Sequence, residues 1–277
     1  MSFIKLVNAG FKYPESDADS FVLKNIDISI DKGEFVCIIG ANSSGKSTLG
    51  RLINAILVPT VGEVIINDSL NTKVQTNLIP IRKMIGMIFQ NPDNQIVATT
   101  VEEEVAFGPE NLNLPSNEIK RLVDDSLHQV GLEEYRSFPP HLLSGGQKQL
   151  LAIASVLAME PECIIFDEPT SLLDPFSREL VINKIIEINK NGKTILLITH
   201  RMDEVLLSNR VIVLKDGFIE LDMLPKDIFS KKNEELIKLK LYPPEIVQII
   251  NKLKENGLDI PKEIISSKDL VDYICQL

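Results

Sequence analysis

The order of apolar and polar residues along the chain predicts strands and helices in alternation. Residues 2–13 and 21–30 alternate apolar with polar positions, as half-buried strands do, and a polar loop over 14–20 joins them. Residues 34–39 form one continuous apolar run, which is typical of a strand buried on both faces. Residues 46–57 instead place leucine and isoleucine at helical spacing, so a helix is predicted to follow that strand.

The second part of the chain continues this alternation and decides the predicted fold class. Further strands are predicted at residues 62–66, 84–89, 162–166, 194–198, 211–215 and 218–222, and further helices at 175–190 and 201–208. Strands that alternate with helices build a mainly parallel sheet covered by helices, so the fold class is α/β. The hairpin-like pair of strands at the start adds an N-terminal antiparallel β-layer.

Two segments depart from the alternation and suggest separate units. Residues 92–160 are predicted to form a helical subdomain, in which Thr100 and Glu103 make a capping box. Residues 223–277 are too few to bury a large core alone, and they carry two short amphipathic helical patterns. We therefore predict a main domain over 1–222 and a helical appendage over 223–277 that packs on a partner, on a second copy or on the main domain.

Composition and charge narrow the function classes. The chain has 277 residues and a formal charge of −10, and an acidic protein repels the phosphate backbone of nucleic acids. Cys37, Cys163 and Cys275 are far apart, which disfavours a disulfide framework or a zinc site. No run of 18 apolar residues occurs, so any work at a membrane would have to go through partners.

A phosphate-binding loop follows the apolar run at 34–39. Residues 40–47 fit the pattern G-x-x-x-x-G-K-S/T between a predicted strand and a predicted helix, the context that this motif requires. Backbone N–H groups of such a loop surround phosphate oxygens, while the lysine reaches the β- and γ-phosphates and the serine ligates Mg²⁺. The predicted nucleotide-binding residues are Gly40, Ala41, Asn42, Ser43, Ser44, Gly45, Lys46, Ser47 and Thr48.

Two carboxylates end another buried strand. The apolar residues 163–166 are followed directly by Asp167 and Glu168, and buried strands seldom end in adjacent acids without a use for them. Asp167 is a candidate ligand of Mg²⁺. Glu168 is a candidate general base that accepts a proton from the attacking water or orients it.

The string Leu143-Ser144-Gly145-Gly146-Gln147, just ahead of this strand, completes a set of motifs. Together with the phosphate loop and the two acids, it resembles the signature of the ATP-binding-cassette (ABC) ATPases. A serine hydroxyl and free N–H groups at a helix start also form a second anion site on their own. The resemblance implies a phosphate-loop ATPase that uses ATP and Mg²⁺, with two cassettes clamping each nucleotide in trans.

The resemblance covers about residues 3–222 and implies roles for further residues. Tyr13 resembles the aromatic residue that stacks on adenine, and Gln90 resembles the glutamine that senses Mg²⁺ and the water. Asp174 resembles the acid that communicates across the dimer, and His200 resembles the switch histidine at the γ-phosphate. The implied catalytic set is Glu168, His200, Gln90 and Lys46, and the implied metal ligands are Ser47, Gln90 and Asp167.

Two positions depart from the family pattern. Ser43 stands where the family usually has glycine, so the loop there must tolerate a Cβ atom or avoid positive φ. Leu150 stands where an arginine often follows the signature, which puts a local ion pair in doubt.

More specific strings resemble one group within this family. Gln90-Asn-Pro-Asp-Asn-Gln95 and residues 101–108, Val-Glu-Glu-Glu-Val-Ala-Phe-Gly, are similar to the ATPases of energy-coupling-factor transporters, which import vitamins and some metal ions. The resemblance implies a second cassette, identical or not, a membrane scaffold (T) component and a substrate-binding membrane (S) component. The chain would then lie at the cytoplasmic face of the cell membrane as a peripheral subunit, without nucleic acid.

The distribution of charge suggests where a membrane partner docks. Residues 91–142 contain ten acids and three bases, whereas residues 223–277 contain nine of each. We hypothesise that Glu102, Glu103 and Glu104 accept arginine or lysine from the scaffold, and a solvated acidic helix face is the alternative.

Other classes of protein share the phosphate loop. The alternatives are another ABC importer, a cassette ATPase of DNA repair or of translation, and a phosphate-loop kinase. DNA-repair cassettes carry long coiled coils between the phosphate loop and the signature, and no sustained heptads occur here. Translation cassettes usually pair two copies in one chain, and the signature string disfavours a kinase.

Overall fold

The computed structural model describes residues 2–14, 20–229, 233–239, 241–261 and 263–275, so most of the polar loop predicted at 14–20 lies outside the described residues. The strands are β1 (Ser2–Phe11), β2 (Leu23–Asp31), β3 (Phe35–Gly40), β4 (Val61–Ile66), β5 (Leu70–Asn71), β6 (Ile85–Ile88), β7 (Cys163–Asp167), β8 (Thr194–Ile198), β9 (Arg210–Lys215) and β10 (Phe218–Met223). The α-helices are α1 (Lys46–Ile53), α2 (Leu78–Met84), α3 (Val101–Asn111), α4 (Ser116–Val130), α5 (Gly145–Leu157), α6 (Pro175–Lys190), α7 (Met202–Val205), α8 (Pro225–Phe229), α9 (Asn233–Lys238), α10 (Glu245–Glu255) and α11 (Ser267–Ile274).

The described strands form two sheets. The main sheet has the order β10-β9-β3-β8-β7-β6, in which every pair except β10–β9 is parallel. The second sheet has the order β2-β1-β4-β5 and is antiparallel throughout. The predicted α/β class, with a parallel sheet and an N-terminal antiparallel layer, is therefore confirmed.

Strand β3 separates two apolar cores, because its alternate side chains point to opposite faces of the sheet. Val36 and Ile38 pack with the antiparallel sheet and α1. Cys37 and Ile39 pack with the helices α3 to α6 on the other face. Cys37 is fully buried in one core and Cys163 in the other, as expected for small apolar residues.

Several element bounds differ from the predicted ones. Helix α1 ends at Ile53 rather than at residue 57, because Ala55 adopts a left-handed φ of 58° that a helix cannot continue. Helix α7 is one turn long, and α2, α8 and α9 were not predicted. A hairpin turn at Asp216-Gly217 joins the two predicted last strands, with positive φ at both residues.

The capping box predicted at Thr100 and Glu103 is present between β6 and β7. Thr100 Oγ1 accepts a hydrogen bond from Glu103 N–H, while Glu103 Oε2 accepts one from Thr100 N–H, so the capping box opens α3. Gly131 ends α4 in the left-handed conformation. In the tail, Ile250, Ile260 and Leu270 form a small apolar cluster of their own.

The three consecutive glutamates at the start of α3 have structural partners. Glu104 is 4% exposed, and its Oε2 accepts hydrogen bonds from Val97 N–H and Ala98 N–H at 2.8 and 2.9 Å. Glu103 serves the capping box, and Glu102 pairs with Arg136 at 3.0 Å. The hypothesis that these acids receive a membrane partner is therefore wrong for Glu104, and Glu103 already holds its own helix terminus.

We expect Glu104→Ala to lower the free energy of unfolding by about 2 kcal/mol, because it removes the buried carboxylate that accepts two backbone hydrogen bonds. Glu104→Gln should keep most of the stability, since its side-chain oxygen can still accept both hydrogen bonds. The matched control is Glu102→Ala, which should cost less than about 1 kcal/mol because its ion pair is half exposed. Urea denaturation measures all three variants, and equal losses for Glu104→Ala and Glu102→Ala would contradict the assignment.

Candidate nucleotide site

The phosphate loop is shaped by a few unusual backbone conformations. Gly40 has φ of 150°, and a Cβ atom there would lie 2.2 Å from Leu214 O, so only glycine fits. Gly45 has φ of 103° and opens α1. Ser43, which stands where the family usually has glycine, has φ of 64°. The loop therefore accepts a Cβ atom in the left-handed region at this position.

Lys46 lies inside the loop and is almost buried. Its Nζ donates hydrogen bonds to Gly40 O and Ala41 O, both at 3.0 Å. Burial lowers the pKa of the lysine, and the nearby carboxylates of Glu168 and Asp167 oppose that shift. The ammonium group thus contacts carbonyl oxygens of its own loop, from which a stronger acceptor such as phosphate could recruit it.

A hydrogen bond joins the phosphate loop to the acid strand. Ser47 Oγ donates to Asp167 Oδ1 at 2.9 Å. Asp167 is 5% exposed, and burial raises its pKa, while the bond from Ser47 acts in the opposite direction. Ser44 Oγ is also buried, and among the described residues it has no hydrogen-bond partner.

The second acid is the centre of a small cluster. Glu168 Oε2 accepts a hydrogen bond from Gln90 Nε2 at 3.0 Å and lies 3.4 Å from His200 Nδ1. Gln90 Nε2 also donates to Ser171 Oγ at 3.2 Å, a contact that the sequence reasoning did not predict. The structure therefore brings together three of the four residues predicted to be catalytic.

Tyr13 lies beside the end of the phosphate loop. Its hydroxyl is 3.3 Å from Thr48 Oγ1, and its ring packs edge-on against Phe11. The ring is partly exposed.

The signature residues are held by hydrogen bonds of their own helix start. Ser144 Oγ accepts a hydrogen bond from Gln147 N–H while Gln147 Oε1 accepts one from Ser144 N–H, so the signature opens α5 as a capping box. Asp174 Oδ1 accepts from Phe176 N–H and Ser177 N–H at 3.0 Å and caps α6, and these Ser177 bonds hold the pKa of Asp174 below its usual value. Among the described residues, no hydrogen bond joins the signature to the phosphate loop.

Leu150, the second position that departs from the family pattern, has an apolar environment. Leu150 packs against the core on the helical side of the sheet. An apolar contact thus stands where the family pattern would place an arginine.

Comparisons with known proteins identify the family. The model of the ABC transporter family matches residues 23–171, and that of the energy-coupling factor transporter EcfA1 C-terminal domain matches residues 247–277. The energy-coupling factor transporter ATP-binding protein EcfA1 of Caldanaerobacter subterraneus is 49% identical over the full length of both chains. EcfA1 of Clostridium novyi is 46% identical, over 100% of this chain and 99% of its own.

The chain belongs to the ATP-binding proteins of energy-coupling factor transporters.

Solved structures agree with this assignment. The energy-coupling factor ATPase fold resembles cbiO1 of Clostridium perfringens, part of the ABC transporter complex cbiONQ, with a TM-score of 0.76 and 35% identity over 90% of this chain and 99% of that chain. It also resembles the dimeric ATP-binding cassette MJ0796 in a post-hydrolysis state bound to ADP and Pi, with a TM-score of 0.72 and 33% identity over 80% of this chain and 98% of that one. In the part of the chain that the structure describes, no helix has the length and apolarity needed to cross a membrane.

The two signature glycines offer a sharp test of how the energy-coupling factor cassette packs. A Cβ atom on Gly146 would lie 2.6 Å from Ser177 Cβ, whereas one on Gly145 would meet only Leu173 at 3.7 Å. We expect Gly146→Ala to lower the free energy of unfolding by about 1–3 kcal/mol through overpacking. Gly145→Ala, the matched control, should leave it unchanged or raise it slightly, because alanine favours a helix.

A second substitution checks the cause of the Gly146 effect. Ser177→Gly removes the atoms that the new Cβ would strike, so it should restore part of the stability in a Gly146→Ala background. Thermal unfolding followed by circular dichroism measures the set. Additive losses in the double variant would contradict the proposed contact between α5 and α6.

Proposed function

We propose that the chain is the ATP-hydrolysing subunit of an energy-coupling-factor type ABC importer, which powers uptake of vitamins or metal ions through membrane partners. The observation that carries the proposal is the Ser47–Asp167 hydrogen bond. It fixes the phosphate loop beside the strand whose next residue, Glu168, contacts both Gln90 and His200. A phosphate held by the loop would therefore lie next to an acid, an amide and an imidazole.

The phosphate loop supplies the binding energy for the nucleotide. Its N–H groups and the start of α1 provide partial positive charge, and Lys46 provides a full one. The buried and unpartnered hydroxyl of Ser44 suits a phosphate oxygen as its missing partner. Asn42, Ser43 and Thr48 complete the cradle, and Tyr13 would stack on the adenine ring.

Magnesium fits the oxygen donors of this site. Ser47 and Asp167 already hold a hydroxyl and a buried carboxylate next to each other, and hard oxygen donors are the ligands that Mg²⁺ takes. We propose that Ser47, Asp167 and Gln90 hold Mg²⁺, which when bound neutralises charge that develops on the phosphates.

The chemistry requires few residues. Glu168 would accept the proton of the attacking water, or orient that water, and His200 would contact the γ-phosphate from the same side. Gln90 is hydrogen-bonded to Glu168 and would contact the metal and the water. Through this contact, it would couple their binding to the position of the segment that follows it. Lys46 stabilises the negative charge as the terminal phosphate departs.

The signature surface needs a second cassette. Ser144, Gly145, Gly146 and Gln147 open α5 at a position that no described hydrogen bond links to the phosphate loop. We propose that they bind the γ-phosphate held by a second cassette, identical or related, and that Asp174 lies at the same contact. Closure of the pair would drive a scaffold (T) component that carries a substrate-binding (S) component.

The cytoplasmic face of the membrane is the proposed location, with the chain held there by these partners as a peripheral subunit. A role with DNA is less well supported. Between the phosphate loop and the signature, the described residues form short strands and helices, and α4, with 15 residues, is too short for a long coiled coil.

We expect Glu168→Gln to reduce ATP hydrolysis at least about 100-fold, because an amide cannot take the proton of the attacking water. ATP should still bind, and the cassette pair should accumulate in its closed form. A phosphate-release assay and size-exclusion chromatography with ATP and with ADP measure these effects. The control is Glu179→Gln on the exposed face of α6, and full turnover in Glu168→Gln would refute the proposed role.

We expect Lys46→Ala to weaken ATP binding roughly 10- to 100-fold, because it removes a charged hydrogen-bond donor from the phosphates. The folded protein should keep its stability, since burial already disfavours the charged lysine and lowers its pKa. Equilibrium binding of a fluorescent ATP analogue measures the first effect, and thermal unfolding measures the second. Lys190→Ala, at the exposed end of α6, serves as control, and equal affinities for the two variants would argue against the phosphate contact.

A further inference from the structure

Glu204 is a buried carboxylate on α7 with no part in the chemistry proposed above. It is 2% exposed. Its Oε1 accepts a hydrogen bond from Thr170 Oγ1 at 2.5 Å, and its Oε2 accepts one from Thr199 Oγ1 at 2.6 Å. Each carboxylate oxygen thus holds one threonine hydroxyl, and both threonines are nearly fully buried.

The direction of these hydrogen bonds follows from the surroundings. Thr199 Oγ1 accepts a hydrogen bond from Arg201 N–H at 3.0 Å, which leaves the hydroxyl proton for Glu204. Arg201 Nε lies 3.6 Å from Glu204 Oε1 and compensates part of its charge. Burial raises the pKa of Glu204, and the two threonine hydroxyls oppose that shift.

The two threonines belong to the segments that carry the catalytic pair. Thr170 lies two residues after Glu168, and Thr199 lies directly before His200. Glu168 Oε2 and His200 Nδ1 are 3.4 Å apart, yet the His200 side chain is 52% exposed. Gln90 holds the Glu168 side chain, whereas the position of the exposed His200 depends mainly on the backbone that carries it.

Glu168 itself needs such support. Its φ of 51° is in the left-handed region, which costs free energy for a residue other than glycine and persists only where neighbouring contacts enforce it. Glu168 N–H donates to Ile198 O at 2.9 Å, so one hydrogen bond already connects the ends of β7 and β8. The Thr170–Glu204–Thr199 bridge connects the same two segments a second time, from the core side.

We propose that Glu204 is a positioning residue: its carboxylate binds the segment after Glu168 to the segment before His200 and so fixes the two catalytic groups relative to each other. The inference rests on the proposed ATP hydrolysis for its functional meaning, whereas the bridge itself concerns the geometry of the protein without nucleotide. Glu204 touches neither substrate nor water in this scheme and acts only through the two threonines.

The test removes the hydroxyl groups while keeping the shape of the side chains. Thr170→Val and Thr199→Val leave a carboxylate oxygen without its donor, whereas Thr170→Ser and Thr199→Ser keep the donor. We expect each valine variant to lower kcat about 10-fold or more with KM for ATP within about 2-fold, because misplaced catalytic groups slow the reaction without weakening binding. Each serine variant should stay within about 2-fold of the parent kcat.

A spectroscopic measurement makes the test independent of activity. In the nucleotide-free protein, the imidazole signals of His200 in ¹H–¹³C or ¹H–¹⁵N NMR spectra should shift in both valine variants and stay in place in both serine variants. His128 and His141, the other two histidines, serve as internal controls. An inactive parent protein would refute the proposed ATPase function, and the His200 signals would still decide the present inference.

Three results would overturn the inference. The first is a parent-like kcat and unshifted His200 signals in the valine variants. The second is an equal loss in the serine and valine variants, which would assign the effect to packing of the threonine methyl group. The third is a fall in kcat accompanied by a matching rise in KM and a large fall in Tm, which would mark Glu204 as a general stabilising residue.

Discussion

The structure depends on the parallel pairing of β3, β8 and β7, which are neighbours in the main sheet in that order. Parallel strands point the same way, so their carboxyl ends meet at one edge of the sheet. The phosphate loop leaves β3 there, Asp167 ends β7, and His200 follows β8. All three strands are fully buried, so residues distant in sequence are held at that edge by a core rather than by a flexible loop.

This constraint explains why the two cores are divided as they are. A strand buried on both faces must present apolar side chains to two layers, and β3 does so with alternate residues. The antiparallel layer covers one face and leaves Tyr13 beside the phosphate loop. The helices of the other face bring the starts of α5 and α6 together through the tight contact of Gly146 with Ser177. The signature is thus held in place by α6, and among the described residues no hydrogen bond joins it to the phosphate loop.

The sequence predicted much of this site because its motifs impose their own local structure. The phosphate loop requires glycine at Gly40 and Gly45, and the signature requires a cap at Ser144, so pattern and conformation coincide. The end of α1 escaped prediction, since the sequence gives no sign that Ala55 adopts a left-handed conformation. The short helix α2 escaped prediction as well. Glu204 also escaped it. In the sequence, an acid in a short helix cannot be told from a surface residue. Only the fold shows that two threonine hydroxyls donate hydrogen bonds to Glu204.

The docking hypothesis for Glu102, Glu103 and Glu104 illustrates a general limit of charge counting. A run of acids at a helix start reads as a solvated patch, yet the same position favours acids for the sake of the helix itself, through caps and the helix dipole. Here Glu104 is buried and accepts hydrogen bonds from two backbone N–H groups, and Glu103 completes a capping box. Net charge by segment describes the field around a protein, whereas individual partners decide which charges are available to another molecule.

The burial of Lys46 and Asp167 gives the final link between fold and function. Burial lowers the pKa of the lysine and raises that of the carboxyl, so each charged form is disfavoured in the protein without ligand. Each charge partly compensates the other, and the Ser47 hydroxyl supports Asp167. A nucleotide with its metal would provide both with opposite charge in the same place. Its binding should then relieve an unfavourable arrangement that the buried sheet maintains, and a ligand bound only by the folded state stabilises that state. The same burial that disfavours both charged forms therefore favours the binding of a ligand that compensates them.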